Sequence, residues 1–124
     1  MNAYHGTAHN LTFEELFNNA SSTIGWHFGS LKAAVVAVNK YDSTTETWNN
    51  EQIQDFFNDN PECFIEVEIS SQKKLAATDS EVNSEDFMNA AISSGYDCVE
   101  YKNEFEDIGS LSYVVLNSDV LREL

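Results

Sequence analysis

The apolar residues of this chain recur with two spacings, one typical of helices and one typical of strands. On the helical spacing of three to four, helices are predicted at about 11–18, 30–39, 51–58 and 84–94. Ser30 is expected to cap the second of these helices, and Thr12 with Glu15 forms a capping box at the start of the first. The residues expected to face the core from these helices are Leu31, Ala34, Val35, Val38, Ile53, Phe56, Phe57, Phe87, Met88 and Ala91.

Alternation of apolar residues with glutamate over 65–69 predicts a strand with one buried and one solvated face. Further extended segments are predicted up to residue 7 and at 24–28, 98–101 and 111–116. Gly95 is expected to end the last long helix in a left-handed cap. Irregular structure is predicted at 41–50 and 73–83, and a short helix or turn at 119–124. The mixture predicts a single α+β domain over residues 1–124.

The composition indicates a folded acidic domain. Of the 124 residues 42% are hydrophobic, which is too many for a disordered tail even though the net charge is -15. Six lysines and arginines against 21 acids cannot form a basic stripe, so we do not expect direct nucleic-acid binding over a broad surface. The longest apolar run, Ala33 to Val38, is far shorter than the roughly 20 residues that span a bilayer. No membrane association is expected.

The cysteines and histidines predict neither a disulfide nor a metal site. Cys63 and Cys98 lie in apolar, strand-like runs with no Cys or His at ligand spacing, and we expect buried free thiols. His5, His9 and His27 show no recognisable metal spacing. Because no signal-like apolar stretch opens the chain, these features predict a soluble cytoplasmic protein.

Three short segments combine polar or aromatic side chains with glycine or small residues. They are 4–7 (Tyr-His-Gly-Thr), 25–29 (Gly-Trp-His-Phe-Gly), and 101–104 (Tyr-Lys-Asn-Glu) together with 112–115 (Ser-Tyr-Val-Val). Such segments let imidazole, aromatic and carboxylate groups and bare backbone approach a flat, charged ligand. No segment is specific alone, so the prediction of a nucleotide site depends on their joint occurrence.

In this order, and with Gly95-Tyr96-Asp97 leading into the strand at 98–101, the segments resemble those of ADP-ribosyltransferases. The likeness is to small phage-encoded members, including phage polyvalent-protein and anti-CRISPR-like domains, which are related to the diphtheria-toxin and poly-ADP-ribose polymerase branch. It covers about residues 4–120. The resemblance implies a split β-sandwich with short flanking helices, and NAD as co-substrate.

The resemblance also implies cofactor-binding roles for the first two segments. His5 falls on a histidine that hydrogen-bonds a hydroxyl of the nicotinamide ribose, Gly6 on a residue whose backbone holds the nicotinamide amide, and Thr7 follows on the same edge. His27 falls on a tyrosine that packs against nicotinamide, and Phe28 on the phenylalanine after it. A histidine offers less stacking area than tyrosine and can become charged. The other residues expected to contact the cofactor are Trp26, Tyr101 and Ser112.

The catalytic acid is the point at which this chain departs from the family pattern. The branch carries a glutamate before the aromatic of the last core strand, where this chain has Ser112 before Tyr113. Some small phage members have their key polar residue after the preceding strand, which corresponds here to Asn103 and Glu104. The resemblance therefore implies Glu104, with Asn103 and His5, as the catalytic set. A carboxylate there would stabilise the oxocarbenium-like charge that develops as nicotinamide leaves.

Each of these residues also has an ordinary structural explanation. His5 can be a hydrogen-bonded histidine of the core or of a sheet edge, and the glycines of 25–29 can be turn glycines. Trp26 and Phe28 can bury against one sheet face, because they are alternate residues of an extended segment. The acids of 100–107 can form a solvated loop.

The expected function is that of an NAD-dependent mono-ADP-ribosyltransferase that modifies a host macromolecule, most simply a protein, in the bacterial cytoplasm. Phage encoding and a counter-defence role are further implications of the resemblance. The pyrophosphate of NAD would find its obvious counter-charge at the helix that begins at Ser30, with Lys32 nearby. Two alternatives stay open: a non-catalytic acidic inhibitor that mimics nucleic acid, and a pseudoenzyme that binds NAD without turnover.

Overall fold

The computed structural model describes residues 1–7, 12, 14, 25–40 and 42–124, and this part of the chain is a mixture of helices and strands. Its α-helices are α1 (Leu31–Val38), α2 (Asn50–Asp59), α3 (Asp79–Val82) and α4 (Glu85–Ser93). Its strands are β1 (Asn2–Gly6), β2 (Trp26–Phe28), β3 (Phe64–Ile69), β4 (Lys74–Ala77), β5 (Cys98–Lys102), β6 (Leu111–Val115) and β7 (Leu121–Glu123). Short 3-10 helices cover Ser43–Thr47, Pro61–Cys63 and Ser118–Val120. The predicted α+β class is confirmed.

Within the described ranges the strands form two sheets, and one isolated bridge joins them. One sheet has the order β1-β3-β7 and is antiparallel, and the other has the order β2-β6-β5-β4, in which only β4 and β5 are parallel. Tyr4 of the first sheet and Gly29, just after β2, pair across the junction. Each backbone N–H donates to the other residue's carbonyl oxygen at 2.8 Å. This bridge sets the middle of β1 beside the end of β2.

Among the described residues, two clusters of buried side chains form the core. The first contains residues of both sheets, including Val67 of β3 and Val115 of β6, neither of which has any exposed surface. The second lies on the opposite face of the four-stranded sheet, because side chains alternate along a strand, and it includes Val114. Helices α3 and α4 cover this second cluster, with Met88 of α4 fully buried.

Helix α1 lies directly against β1 because Gly6 has no side chain. A Cβ atom added at Gly6 would lie 2.3 Å from the carbonyl oxygen of Ala34, far inside van der Waals contact. The helix begins as predicted, since the Ser30 Oγ accepts a hydrogen bond from the Ala33 N–H at 3.0 Å. This close approach of strand and helix forms one wall of the site described below.

Most of the predicted elements are confirmed. The predicted helices at 30–39, 51–58 and 84–94 correspond to α1, α2 and α4, and Gly95 follows α4 with the expected positive φ of 83°. The strand predictions at 65–69, 98–101 and 111–116 are confirmed as β3, β5 and β6. The predicted helix at 11–18 lies outside the described residues, apart from residues 12 and 14.

One segment prediction is wrong and two are incomplete. The segment 73–83, predicted to be irregular, contains β4 and α3. The segment 41–50, also predicted to be irregular, contains the 3-10 helix Ser43–Thr47. The short helix or turn predicted at 119–124 corresponds in part to the 3-10 helix Ser118–Val120, but β7 follows it and pairs with β3. Strand β4 has the sequence Lys-Leu-Ala-Ala, which lacks the β-branched residues that signal a strand. Its pairing with β5 is a contact between distant segments, which local pattern does not encode.

The predicted core is confirmed for its central members and is wrong at its margins. Ile53, Ala34, Val35, Met88 and Ala91 are buried as expected. The core-facing predictions that the structure leaves only partly buried are Leu31, Val38, Phe56, Phe57 and Phe87. Both cysteines are free, as predicted, but only Cys98 is fully buried.

Candidate functional site

A cavity of about 200 Å³ opens where β1, β2, α1 and the start of the 103–110 loop meet. We call it the His5 cavity. Its lining consists of Tyr4, His5, Gly6, His27, Phe28, Gly29, Ala33, Ala34, Ala37, Tyr101, Asn103, Glu106 and Ser112. Seven of the ten residues that the sequence predicted for the site are in this lining, although they come from the beginning, the early middle and the end of the chain. They are His5, Gly6, His27, Phe28, Tyr101, Asn103 and Ser112.

His5 is fixed by the junction between the two sheets. Its Nδ1 lies 2.9 Å from the backbone carbonyl oxygen of His27. Because a carbonyl oxygen can only accept, Nδ1 carries the hydrogen of this bond, and in a neutral ring Nε2 is then an acceptor. The ring also makes an edge contact with Phe28, with ring centroids 6.0 Å apart. His5 is therefore oriented to accept a hydrogen bond from a ligand hydroxyl.

The surroundings of His27 favour its neutral form. Burial lowers the pKa of His27 below the ordinary 6.5, and the neighbouring His5 lowers the pKa further, while Asp79 opposes the shift. A neutral imidazole in the cavity wall does not repel a cationic ring. The surroundings of His27 therefore reduce the fraction of this histidine that is charged near neutral pH.

The opposite wall of the His5 cavity comes from β5, β6 and the residue that follows β5. Tyr101 and Ser112 are paired across the two strands. The Asn103 Nδ2 donates to the Ser112 Oγ at 3.2 Å, and both side chains are buried. Burial, with the charges of Asp79 and Glu106, raises the pKa of Tyr101 to about 12. The phenol therefore stays protonated and can donate a hydrogen bond.

Asn103 also organises the loop that follows it. Its Oδ1 accepts hydrogen bonds from the backbone N–H groups of Phe105 at 3.0 Å, Glu106 at 2.8 Å and Asp107 at 3.2 Å. The Asp107 carboxylate accepts in turn from the Ser30 Oγ at 2.6 Å, which ties the loop to the first turn of α1. The loop is thus held at two points, by the Asn103 amide just after β5 and by the Asp107 carboxylate at the start of α1.

Of the acids in the described part of the chain, Glu106 is the one that lines the His5 cavity. Burial raises its pKa above the ordinary value of 4.5, and the negative charge of Asp79 raises the pKa further. Glu106 was not among the residues predicted for the site. The loop has no hydrophobic period, so nothing in the sequence separates Glu106 from Glu104, two positions earlier. The turn around Asn103 decides which carboxylate faces the cavity.

Asp79 is a second acid of this region that was not predicted from the sequence. It lies in the first turn of α3, is only 6% exposed, and its Oδ2 accepts a hydrogen bond from the Glu104 N–H at 2.9 Å. Its charge acts on the pKa values of Glu106, Tyr101 and His27. Thr78 and Glu81 have the spacing of a capping box, so the start of α3 could have been predicted from the sequence, with Asp79 in the first turn.

Three predicted site residues lie outside the His5 cavity. Glu104 is exposed and lines a neighbouring cavity of about 310 Å³, which we call the Leu111 cavity. Trp26 packs against the first core cluster and lines a separate hollow beside Tyr96. The Thr7 N–H donates to the Cys63 carbonyl oxygen at 2.9 Å, and Thr7 is not in the cavity lining. Trp26 pairs with Val115 and Phe28 pairs with Tyr113, so Trp26 lies at the other end of β2 from the residue of its own face that lines the cavity.

The His5 cavity suits a neutral or cationic group rather than an anionic one. Among the described residues that line it, there is one acid, Glu106, and no lysine or arginine. At the predicted pyrophosphate position, the capping Ser30 already donates to the Asp107 carboxylate. A volume of about 200 Å³ is below the range of roughly 300–1,000 Å³ usual for whole ligands. The cavity therefore has room for one end of a dinucleotide.

Comparison of the chain with models of protein families, with curated proteins and with solved structures found no match. Within the described ranges, no group of three or more His, Cys, Asp or Glu residues could hold a metal ion. The same ranges contain no helix long and apolar enough to cross a bilayer.

Proposed function

We propose that this chain is an NAD-dependent mono-ADP-ribosyltransferase that modifies a host protein. The observation that supports the proposal is the His5 cavity, which brings together residues from all three segments of the resemblance. The two sheets that meet at the Tyr4–Gly29 bridge also agree with the split β-sandwich that the resemblance implies. Phage encoding and a counter-defence role belong to the same proposal.

In this proposal the nicotinamide end of NAD occupies the His5 cavity. The flat cationic ring stacks beside His27 and Tyr101, with a cation-π contribution of about 0.5–2 kcal/mol once water is excluded. The backbone of Gly6 holds the carboxamide, and the His5 Nε2 accepts a hydrogen bond from a ribose hydroxyl. The adenylate end lies outside the cavity, since about 200 Å³ does not accommodate the whole dinucleotide.

The chemical step breaks the bond between the ribose C1′ and the nicotinamide nitrogen. The bonding electron pair leaves with nicotinamide, which becomes neutral, and positive charge develops on the ribose ring. The carboxylate of Glu106 stabilises that charge, as in glycoside hydrolysis. An acceptor nucleophile then forms a bond to C1′ and releases its proton to solvent. Removing one preorganised electrostatic partner of this kind typically costs about 100- to 1,000-fold in rate.

Glu106 replaces Glu104 as the proposed catalytic acid, because Glu106 lines the cavity and the Glu104 side chain is exposed outside it. Asn103 becomes a positioning residue in this proposal. Its amide holds the loop by three backbone hydrogen bonds and holds Ser112 by a fourth. Ser112 itself cannot supply the missing charge.

The test uses labelled NAD and a bacterial lysate, with Glu106→Gln and His5→Ala as variants and Glu104→Gln as the matched control. We expect wild type and Glu104→Gln to label a protein band, and both test variants to lose about 100-fold or more of that labelling. Glu106→Gln should still bind NAD, which is measured as the increase in melting temperature that NAD produces. Full labelling by Glu106→Gln, or its loss in Glu104→Gln alone, would refute the assignment of the acid.

The same assay separates the proposal from its two alternatives. A pseudoenzyme would be stabilised by NAD without releasing nicotinamide. An acidic inhibitor, which the net charge of -15 would suit, needs no NAD, binds its target stoichiometrically and weakens steeply with salt. An enzyme acts at substoichiometric amounts.

A further inference from the structure

Asp79 is a buried carboxylate that has no part in the reaction proposed above. It is 6% exposed and lies in the first turn of α3. The ion pairs found among the described residues join Lys74 to Glu100 and Arg122 to Glu68, and neither includes Asp79. A carboxylate is rarely buried without a partner of opposite charge, because the loss of its hydration costs free energy. The partner of Asp79 is instead the backbone of the site loop.

Asp79 and Asn103 together hold four successive N–H groups of the loop that follows β5. The Asp79 Oδ2 accepts a hydrogen bond from the Glu104 N–H at 2.9 Å. The Asn103 Oδ1 accepts from the next three N–H groups, at residues 105–107. A hydrogen bond to a carboxylate is stronger than one between neutral groups. The backbone that leads to Glu106 is therefore held at each N–H group up to and including its own.

Asp79 is itself held firmly by the helix that carries it. Helix α3 begins in a capping box, in which the side chains of Thr78 and Glu81 each accept from the other's backbone N–H. The Asp79 carbonyl oxygen accepts from the Asn83 Nδ2 at 3.0 Å, at the other end of the helix. Val82 of the same helix is buried in the second core cluster. The Asp79 carboxylate therefore has a fixed position from which to support the loop.

Asp79 does not line the His5 cavity but acts on its wall from outside. It lines the Leu111 cavity, and Tyr101 lines both cavities. Burial, and then the charge of Asp79, raises the pKa of Glu106 and the pKa of Tyr101. Burial lowers the pKa of His27, and the charge of Asp79 opposes that shift. Asp79 thus touches no ligand in the His5 cavity, but its charge reaches three groups that do.

The wall around Glu106 contains few other groups whose charge changes with pH. Among the described residues of the cavity lining, the titratable ones besides Glu106 are Tyr4 and His5 of β1, His27 of β2 and Tyr101 of β5. Helix α1 contributes alanines to the same wall. Besides burial, the influence on the pKa of Glu106 comes from Asp79. Removing the charge of Asp79 is therefore the direct way to change the electrostatics of Glu106.

We propose that Asp79 is a positioning residue of the transfer site, which holds the loop so that Glu106 faces the His5 cavity and adds a second negative charge behind it. This inference rests on the proposed function for its chemistry. When the bond to nicotinamide breaks, Glu106 meets the positive charge that develops on the ribose. Asp79 stabilises the same charge from a greater distance, in buried surroundings where water screens it little.

The test compares two substitutions that separate the hydrogen bond from the charge. Asp79→Asn keeps an oxygen that accepts from the Glu104 N–H but removes the charge, whereas Asp79→Ala removes both. The matched control is Asp86→Asn, because Asp86 is an exposed acid in the first turn of α4 and lines neither cavity. The control makes the same change in net charge. Far-UV circular dichroism of each variant checks that the fold is intact.

The first measurement needs no NAD. An NMR titration follows the side-chain carboxyl carbons of the glutamates, and the Glu106 signal is identified by its absence in Glu106→Gln. We expect Glu106 to titrate at lower pH in Asp79→Asn than in wild type, because a neighbouring negative charge is gone. Asp86→Asn should titrate as wild type does. Equal titration of Glu106 in wild type and in Asp79→Asn, or an equal shift in Asp86→Asn, would overturn the proposal.

The second measurement is the rate of protein labelling from NAD between about pH 4.5 and 8. At the upper end of this range, Asp79→Asn should be about tenfold slower than wild type, a smaller loss than that of Glu106→Gln, because Asp79 acts from outside the cavity. The fall in rate at low pH should begin at lower pH in Asp79→Asn, since Glu106 and His27 both lose their protons at lower pH once Asp79 is neutral. An unchanged rate profile in Asp79→Asn would overturn the proposal.

The comparison with Asp79→Ala tests the hydrogen bond. Asp79→Ala should label more slowly than Asp79→Asn, because the loop then loses its bond to the Glu104 N–H as well as the charge. Equal rates for the two variants would overturn the assigned hold on the loop. If Asp79→Ala does not fold, the comparison of Asp79→Asn with Asp86→Asn still decides whether the charge of Asp79 acts on Glu106.

Failure of this inference and failure of the proposed function give different results. If wild type labels a protein and the titration of Glu106 is unchanged in Asp79→Asn, the inference fails and the enzymatic proposal stands. If wild type labels nothing and the titration of Glu106 shifts in Asp79→Asn alone, the enzymatic proposal fails. The coupling of Asp79 to Glu106 then stands without that chemistry.

Discussion

Replacing Asn103 by alanine is expected to unfold the site loop and to destabilise the whole protein. The substitution removes four hydrogen bonds, three accepted by Oδ1 from loop N–H groups and one donated by Nδ2 to the Ser112 Oγ. A hydrogen bond contributes about 1 kcal/mol net to stability. Water can reach part of the loop and replace some of the lost partners, so we expect a loss of about 2–3 kcal/mol rather than the full sum of the four bonds.

The assay is urea unfolding followed by circular dichroism, with Asn117→Ala as the matched control. Asn117 makes the same kind of local bond, because its Oδ1 accepts from the Asp119 N–H at 3.0 Å, but it is exposed and makes this one bond. We expect the control to lose less than about 1 kcal/mol. If Asn103→Ala is no less stable than Asn117→Ala, the loop does not depend on the Asn103 amide and the positioning role assigned to it is wrong.

Three further predictions concern pH and packing. The folded state raises the pKa of Glu106, so wild type loses stability as the pH rises through that pKa. The melting temperature of Glu106→Gln should therefore be higher than that of wild type at pH 7, and the two should be equal at pH 3. The opposite order would contradict the burial of this carboxylate. Gly6→Ala should cost about 1–3 kcal/mol in urea unfolding, since its Cβ meets the Ala34 carbonyl oxygen, and an unchanged midpoint would contradict that contact. The pKa of His27 is lowered, so the affinity for NAD should stay constant down to about pH 6.5 and weaken below it. Isothermal titration calorimetry measures this affinity, and a constant value down to about pH 4.5 would exclude a stacking role for His27.

The fold was predictable from the sequence wherever one element carried its own pattern. Strand β3 alternates along its length, and α1 and α4 have a cap and a helical spacing. Strand β4 and strand β7 were not predictable, because each is short and depends on a partner far away in the sequence. Their pairing is a tertiary effect that local propensity does not contain.

Most residues of the candidate site could be predicted from the sequence, but the acid that faces it could not. The family resemblance, and not strand alternation, selected His5 and His27, and it also selected Trp26, which lies outside the cavity. Glu104 and Glu106 differ only in how the Asn103 amide turns the backbone between them. That turn depends on three hydrogen bonds to one side-chain oxygen, and the sequence pattern does not specify them.

The bridge between Tyr4 and Gly29 makes two amide protons into reporters of site opening. Both protons are donated across the junction of the sheets, so each can exchange with deuterium only when the sheets separate at that point. A ligand in the His5 cavity touches both sides of the junction and would hold them together. Exchange at these two amides, measured with and without NAD, would therefore report how often the cavity opens wide enough for a nucleotide to enter or leave.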